Sequence, residues 1–334
     1  MSATIRDIKE QTGLSLATIS KYLNGGNVLP ENRIKIEAAI KDLHYEVNEI
    51  ARGLVTNKTK TIGVLVYSIE SLFNGTLLKY IGDALRKEGY GLLICDSNSD
   101  AETERKNMKF LLNKKVDGMI IVPVSTGEEM LERIREAGVP VVLLDRTTEN
   151  IGCDCVRIDN RLAANKAAQK LLEMGHKDIA IISSSTEYTG IERCRGFIEA
   201  MEAEGLKVPD EYIFGKVHSI EHGYDSMKKI IALKKRPTAV FMTNYEITLG
   251  AVMAVNESEL NCPNDISMLG FDDLILSHVT NPVMNMVVQP MKEMGEKSVE
   301  LLLKKIVNPK DETPVEIVLP TRLHEGNSIK KLIC

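Results

Sequence analysis

Residues 4–25, TIRDIKEQTGLSLATISKYLNG, decide how the chain is read. Ile5 and Ile8 share one helical face, while Leu16, Ile19 and Leu23 share another, so the stretch holds two short amphipathic helices. Between them Gln11-Thr12-Gly13-Leu14-Ser15 leaves space only for a tight turn. Gly13 can enter the left-handed conformation that most residues avoid, and Ser15 offers an oxygen to the first free amides of the second helix. Two helices joined in this way make a helix-turn-helix. Asn24-Gly25-Gly26-Asn27 then ends the second helix, and Pro30 suits the first turn of a third. That third helix carries the stripe Ile36, Ile40 and Leu43. No strand period interrupts these helices, so residues 1–47 are expected to form an all-α head.

From Thr61 the pattern changes. Short apolar runs, TIGVLV (61–66), GLLIC (91–95), VDGMIIV (116–122) and VPVVLL (139–144), alternate with helical stretches. A second series, DIAIIS (178–183), TAVFM (238–242) and ISMLG (266–270), repeats the scheme. Continuous apolar strands separated by amphipathic helices indicate parallel sheets covered on both faces. Two doubly wound α/β lobes are therefore expected. The junction falls near Ile158 and Asp159, and MNMVV (284–288) closes the second unit. A helix around 291–307 and the strand VEIVL (315–319) return to the first. The expected boundaries are 1–47 for the head, 48–60 for a hinge helix and linker, 61–158 with 289–318 for one lobe, and 159–288 with 319–334 for the other.

Composition narrows the function classes. The chain has 334 residues, 43% of them hydrophobic, enough for more than one core. It lacks Trp, which argues against stacking platforms for single strands or RNA. The net charge is −5, yet residues 1–60 carry nine Lys/Arg against seven Asp/Glu, leaving an acidic body behind a slightly basic head. Six cysteines, at 95, 153, 155, 194, 262 and 334, lack the density of a disulfide scaffold, so reduced thiols are expected. The N-terminus shows no basic-then-apolar signal pattern and no apolar run reaches about 18 residues. A cytoplasmic protein without a membrane partner is the expectation.

The head, the segment from Asn48 to Leu54 and TKTIGVLV together resemble the head, hinge and first strand of the LacI/GalR family. The likeness continues through VDGMIIVP, VPVVLLDR, LLEMGHKDIAII, RPTAVFMTN, ISMLGFDD and VVQPMKEMG. It implies a transcriptional regulator, most simply a repressor, with a periplasmic-binding-protein-like core of two lobes and no cofactor. By that correspondence Leu16, Ala17 and Lys21 face the bases. Leu16 and Ala17 can make only apolar contacts, for instance with thymine methyls, so Lys21 supplies the polar readout. Many relatives carry Arg at Lys21, and a lysine offers a rotatable point charge in place of a planar fork. Ser15, Thr18, Ser20 and Asn24 are the phosphate contacts, Ser15 doubling as a helix cap. Asn48, Ala51 and Leu54 form the hinge, with Leu54 as a minor-groove wedge. Gly53 weakens helix there, so residues 48–55 are expected to order on the operator. Two heads of a homodimer, or of a tetramer of such dimers, read a near-palindromic double-stranded DNA site.

In parallel sheets ligands bind beyond the carboxyl ends of the strands. Ser68, Ser71 and Phe73 follow the first run, Asp96 the second, and Asp145 with Arg146 the fourth. In the second unit Asn244 and Tyr245 follow TAVFM, and Asp272 follows ISMLGF. This mixture suits a polyhydroxylated effector, a sugar or nucleoside. The resemblance adds Arg193 and supports Asn244 and Asp272. One departure is Tyr245, where relatives commonly carry Asp after the asparagine, which keeps a phosphorylated or partly aromatic ligand open.

The rival classes are an enzyme, a solute-binding protein and a regulator governed by a protein partner. No G-x-G-x-x-G, G-x-x-x-x-G-K-[ST] or G-x-S-x-G stands at a strand-to-helix turn, so no catalytic residue is expected. A transport receptor would carry a signal sequence and no helical head. His218 and His222 stand at helical i,i+4 spacing and Cys153 and Cys155 flank Asp154, but neither pair has further ligands in view. They are read as solvent-facing or edge-strand residues, and no metal is expected.

Overall fold

The computed structural model describes residues 3–46, 58–124, 132–133, 136–147, 152–272, 275–309 and 313–332. The hinge positions Asn48, Ala51 and Leu54 lie outside the described residues.

The head is three helices, α1 (Ile5–Thr12), α2 (Leu16–Leu23) and α3 (Pro30–Asp42). At the start of α1 the Thr4 amide donates to the Asp7 carboxylate at 2.7 Å, satisfying a donor that no helical carbonyl reaches. Gly13 ends α1 at φ 69°, its amide donating to the Lys9 carbonyl. Ser15 caps α2 by accepting from the Thr18 amide at 3.1 Å, and Pro30 occupies the first turn of α3. Ile8, Ile19, Ile36 and Ala39 fill the small core, with Leu23, Ile40 and Leu43 packed around it. Leu16 departs from the stripe expected of it and is 39% exposed. An eight-residue helix beside two short neighbours is covered over only part of its length, and Leu16 opens the uncovered first turn. Tyr22 donates to Glu37 at 2.9 Å and Gln11 to Asp42 at 3.2 Å, tying α2 and α1 to α3.

The first sheet contains β1 (Thr61–Val66), β2 (Gly91–Asp96), β3 (Gly118–Ile121), β4 (Val141–Leu144), β5 (Asp154–Ile158) and the late strand β11 (Glu316–Leu319). Their order is β11-β5-β4-β3-β1-β2, every pairing parallel. Side chains of β1 alternate between two cores. Ile62, Val64 and Val66 meet Leu77 and Ile81 of α4 (Leu72–Lys87) and Leu302 of α10 (Met291–Val307). Leu65 points the other way, to Met108 and Leu111 of α5 (Ala101–Asn113).

The second sheet repeats the plan with β6 (Ile179–Ser184), β7 (Ile213–Lys216), β8 (Ala239–Met242), β9 (Ser267–Phe271), β10 (Asn285–Val288) and β12 (Arg322–His324). The order is β12-β10-β9-β8-β6-β7, strand for strand that of the first sheet, except that β12 runs antiparallel to β10. Helix α6 (Asn160–Glu173) leads from β5 into β6, and α7 (Tyr188–Ala203), α8 (Ile220–Ala232) and α9 (Tyr245–Asn256) link β6, β7, β8 and β9 in turn. A Cβ on Gly196 would sit 2.0 Å from the Arg161 carbonyl oxygen, so α6 and α7 touch backbone to backbone. That approach brings Asn160, at the start of α6, against Arg193 on α7.

Candidate functional sites on the head and between the lobes

On the head, Leu16, Ala17, Lys21 and Asn24 are exposed while Ile19 is sealed, so one face of α2 is free to enter a groove. Ser15 and Thr18 share a hydroxyl contact of 2.9 Å, and the Asn24 amide donates to Ser20 at 3.3 Å. These four polar groups flank an outward surface that is apolar at 16 and 17 and cationic at 21. The Lys21 stem lies across Gly26, where a Cβ would meet Lys21 Cγ at 2.7 Å. The stem thus runs along the Gly26 backbone, and among the described residues the Lys21 ammonium makes no ion pair.

Between the lobes the carboxyl ends of both sheets meet. A cleft of about 910 Å³ narrows inward to a space of about 10 Å³. The inner space has a matching half from each lobe. Asp145 follows β4 and Asp272 follows β9; both adopt left-handed backbone, at φ 68° and 67°. Each donates its amide to the adjoining strand, Asp145 to Val156 at 2.9 Å and Asp272 to Val287 at 2.8 Å. Aspartate tolerates that conformation better than most residues. Each carboxylate has an arginine, and each arginine lies over a ring. Arg146 Cζ stands 4.2 Å from the Tyr67 ring centroid, and Arg193 Cζ 3.7 Å from that of Phe271.

The halves differ in how closely the arginine is held, although Asn160 Nδ2 and Gln289 Oε1 of the second half are also buried without partners. Arg193 donates to Asn160 at 2.8 Å and to the Thr243 carbonyl at 2.6 Å, and lies 3.6 Å from Asp272. Gln289 donates to Asp272 at 2.6 Å. In the other half Arg146 is 3.8 Å from Asp145 and, among the described residues, donates to the Pro123 carbonyl at 3.4 Å. Asp145 Oδ1 and Arg146 Nε are buried without partners, as are Gln289 Oε1 and His218 Nε2. Burial pushes the Asp145 carboxyl up to about 6 against the pull of Arg146 and Arg193. Burial likewise raises Asp272 and Glu246 and lowers Arg193. His218 is held well below its ordinary value, by burial first and then by the field of Arg193 and Arg146, so it is neutral.

The residues expected at the strand ends divide. Phe73, Asp145, Arg146, Arg193, Asn244 and Asp272 line the inner space, and Ser68 and Ser71 line the wider cleft. Asn244 also caps α9, accepting from the Ile247 amide at 2.9 Å. Asp96 is not brought in. It ends an edge strand, where its carboxylate accepts from the Asn98 amide at 2.8 Å and Asn98 itself reaches the cleft. Tyr245 is not brought in either, because the first turn of α9 presses it into the core. The neighbouring Glu246 enters instead, accepting from Ser71 at 3.1 Å and from Asn244 at 2.7 Å. Tyr67 and Gln289 directly follow β1 and β10, so the strand-end rule contained them unused. His218 and His222 do not share a helix, since α8 begins after Ser219. His218 lines the cleft, and His222 is buried, bonded to the Ser183 carbonyl and to Ser226. Cys155 is buried in β5, flanked by β11 and β4 rather than at an edge. Among the described residues no three His, Cys, Asp or Glu gather to hold a metal ion.

A family profile described as "Periplasmic binding proteins and sugar binding domain of LacI family" matches residues 59–326. The chain belongs to the LacI/GalR family. Membership makes it a DNA-binding transcriptional regulator with an effector-binding body. It is 32% identical over 333 residues to catabolite control protein A of Priestia megaterium, covering 99% of this chain and 100% of that protein. It is 32% identical over 331 residues to the HTH-type transcriptional repressor PurR of Serratia proteamaculans (strain 568), covering 98% and 97%. The structure of the lac repressor dimer bound to operator and the anti-inducer ONPF superposes with a TM-score of 0.89 at 22% identity, covering 99% of this chain and all of that one. That last likeness establishes the LacI/GalR fold.

Proposed function

We propose that the chain is a repressor that grips a near-palindromic operator as a homodimer and is switched by a polyhydroxylated small molecule held between its lobes. Leu16 and Ala17 pack on base edges, Lys21 supplies the polar contact, and Ser15, Thr18, Ser20 and Asn24 hold phosphates. The hinge at Asn48, Ala51 and Leu54 joins them at the minor groove. Two-fold symmetry of the protein is copied into the operator, and a tetramer would be two such dimers.

The observation that carries the effector reading is the set of four unpartnered buried atoms on Asp145, Arg146, His218 and Gln289. Each unmet polar atom costs about 1–3 kcal/mol, and they include both acceptors and a donor. A hydroxyl-rich ligand satisfies both kinds at once, because each hydroxyl donates and accepts. The chain is read as a binder and not an enzyme, since its relatives are regulators and the cleft's functional groups face one another without a strand-end nucleophile motif.

The test begins with selection of operators from a random DNA pool by the full-length protein. A panel of sugars, nucleosides and their phosphates is then scored for thermal stabilisation. Expected are a near-palindromic consensus, affinity that falls steeply with salt, and compounds that shift melting and operator retention together. Equal retention of selected and shuffled DNA at low ionic strength would overturn the regulator reading.

A further inference from the structure

The charge of the cleft bears on what enters it. In the inner space Arg146 and Arg193 face Asp145, Asp272 and Glu246, three carboxylates against two guanidiniums. The wider cleft adds Glu70, Glu187, Glu221, Asp225 and Glu257, and no further lysine or arginine among the described lining residues. Of these five, among the described residues only Glu257 has a cation within 4.0 Å, Lys228 at 3.8 Å, while Lys216 and Lys229 line the adjoining pocket beside Glu221 and Asp225.

Glu246 stands where the two spaces join and lines both. Each of its oxygens accepts one neutral hydrogen bond, from Ser71 of the first lobe and from Asn244 of the second. Among the described residues no Lys, Arg or His nitrogen comes within 4.0 Å of it. A second observation is independent of this carboxylate cluster. Asp145 and Gln289 are 3% and 5% exposed, and Asp145 Oδ1 and Gln289 Oε1 are sealed without a donor. The Gln289 oxygen cannot be exchanged for its nitrogen, which is committed to Asp272. Both atoms require hydrogen-bond donors from the ligand. Hydroxyls of the ligand can supply those donors; at Glu246, an acceptor without a cation beside it, a phosphate or carboxylate adds repulsion, whereas an ammonium brings three donors and no acceptor.

We propose that the effector is a polyhydroxylated molecule bearing a protonated amine, of the amino-sugar class, with its ammonium against Glu246 and its hydroxyls on Arg146 and, as the lobes part to widen the inner space of about 10 Å³, on Asp145 and Gln289. The inference rests on the reading of the cleft as the effector site. It places sugar phosphates, which the sequence left open, as the weakest-binding class.

The experiment uses full-length protein and matched trios: glucosamine, glucose and glucose 6-phosphate, then the galactose and mannose counterparts. Affinities come from calorimetry, with operator retention as a second readout. In the trio that binds, the amine should bind at least about tenfold tighter than its neutral parent, a gap well within one charged contact. The phosphate should bind weakest. In Glu246→Gln the ratio of amine to neutral affinity should fall to about one. A neutral sugar or a phosphate as the tightest member overturns the inference and leaves the effector site standing. An unchanged ratio in a Glu246→Gln protein of normal melting profile also overturns it. If that variant fails to fold, the wild-type ranking decides. No binding by any compound, with operator selection intact, removes the amine assignment together with the effector reading beneath it.

Discussion

The outer face of α2 and the wall of the interlobe cleft solve one problem in opposite ways. On the head Leu16 and Lys21 project from the surface while Ile19, on the same helix, is sealed in the core. In the cleft the working groups are themselves interior: Arg193, Asp272, Asp145 and Arg146 are each no more than 5% exposed. A head residue can therefore change what the protein reads without changing whether it folds. At these four cleft positions reading and folding are coupled, because each charge has been taken out of water and its loss is felt by the groups around it.

The largest expected effect separates the two halves of the cleft. Arg193→Ala strands Asp272 and Asn160 and empties the space over Phe271, and should destabilise the body by about 3–5 kcal/mol. Arg146→Ala removes a guanidinium whose contacts are long, and should cost only about 1 kcal/mol. It should nonetheless abolish stabilisation by effector. Urea unfolding followed by circular dichroism, suited to a chain without Trp, measures both. Equal losses would mean that the two arginines are equally held.

The same contrast governs what could be read from the sequence. The helix-turn-helix was legible because its signals are local: Gly13, Ser15 and Pro30 each act on the residues beside them. The two sheets were legible because fully buried parallel strands leave unbroken apolar runs. The strand-end rule then found Asp145, Arg146, Asn244 and Asp272. It failed at Asp96 and Tyr245 because it says where a strand stops and not which way the next side chain turns. Glu246 was missed for a different reason. Its partner Ser71 is 175 residues away, and no local pattern announces a contact that exists only when two lobes meet.

A middle-sized effect tests whether the loosely held half stores a cost. Burial raises the Asp145 carboxyl to about 6, above the value of about 3.9 in an unfolded chain. Between these values the native protein holds a proton that the unfolded chain has released, so stability falls as pH rises through this window. Asp145→Asn removes the ionising group from among Arg146, Arg193 and Asp272. It should stabilise the ligand-free protein by about 1–3 kcal/mol at neutral pH. The gain should shrink as the pH falls toward about 4 and vanish below about 3, where Asp145 is protonated in both states. A gain that is flat with pH would show that Asp145 is neutralised by its arginines, making the first half as closely held as the second.

The smallest expected effect on stability lies on the head. Leu16→Ala and Lys21→Ala remove side chains that stand outside the core of Ile8, Ile19 and Ile36, so each should change the head's stability by no more than about 0.5 kcal/mol. Their effect belongs to the operator. Lys21→Ala should weaken discrimination at one base pair of each half-site by about 1–3 kcal/mol, the range for a lost polar contact to a base edge. Leu16→Ala should relax preference at a neighbouring position through lost packing on a methyl group. Competition binding with single-position operator variants measures both, beside melting curves of the same proteins. Were Lys21→Ala to weaken every operator variant equally, Lys21 would be a phosphate contact. Were Leu16→Ala to unfold the head, the separation of reading surface from core on α2 would fail, since Leu16 stands outside the cluster of Ile8, Ile19, Ile36 and Ala39.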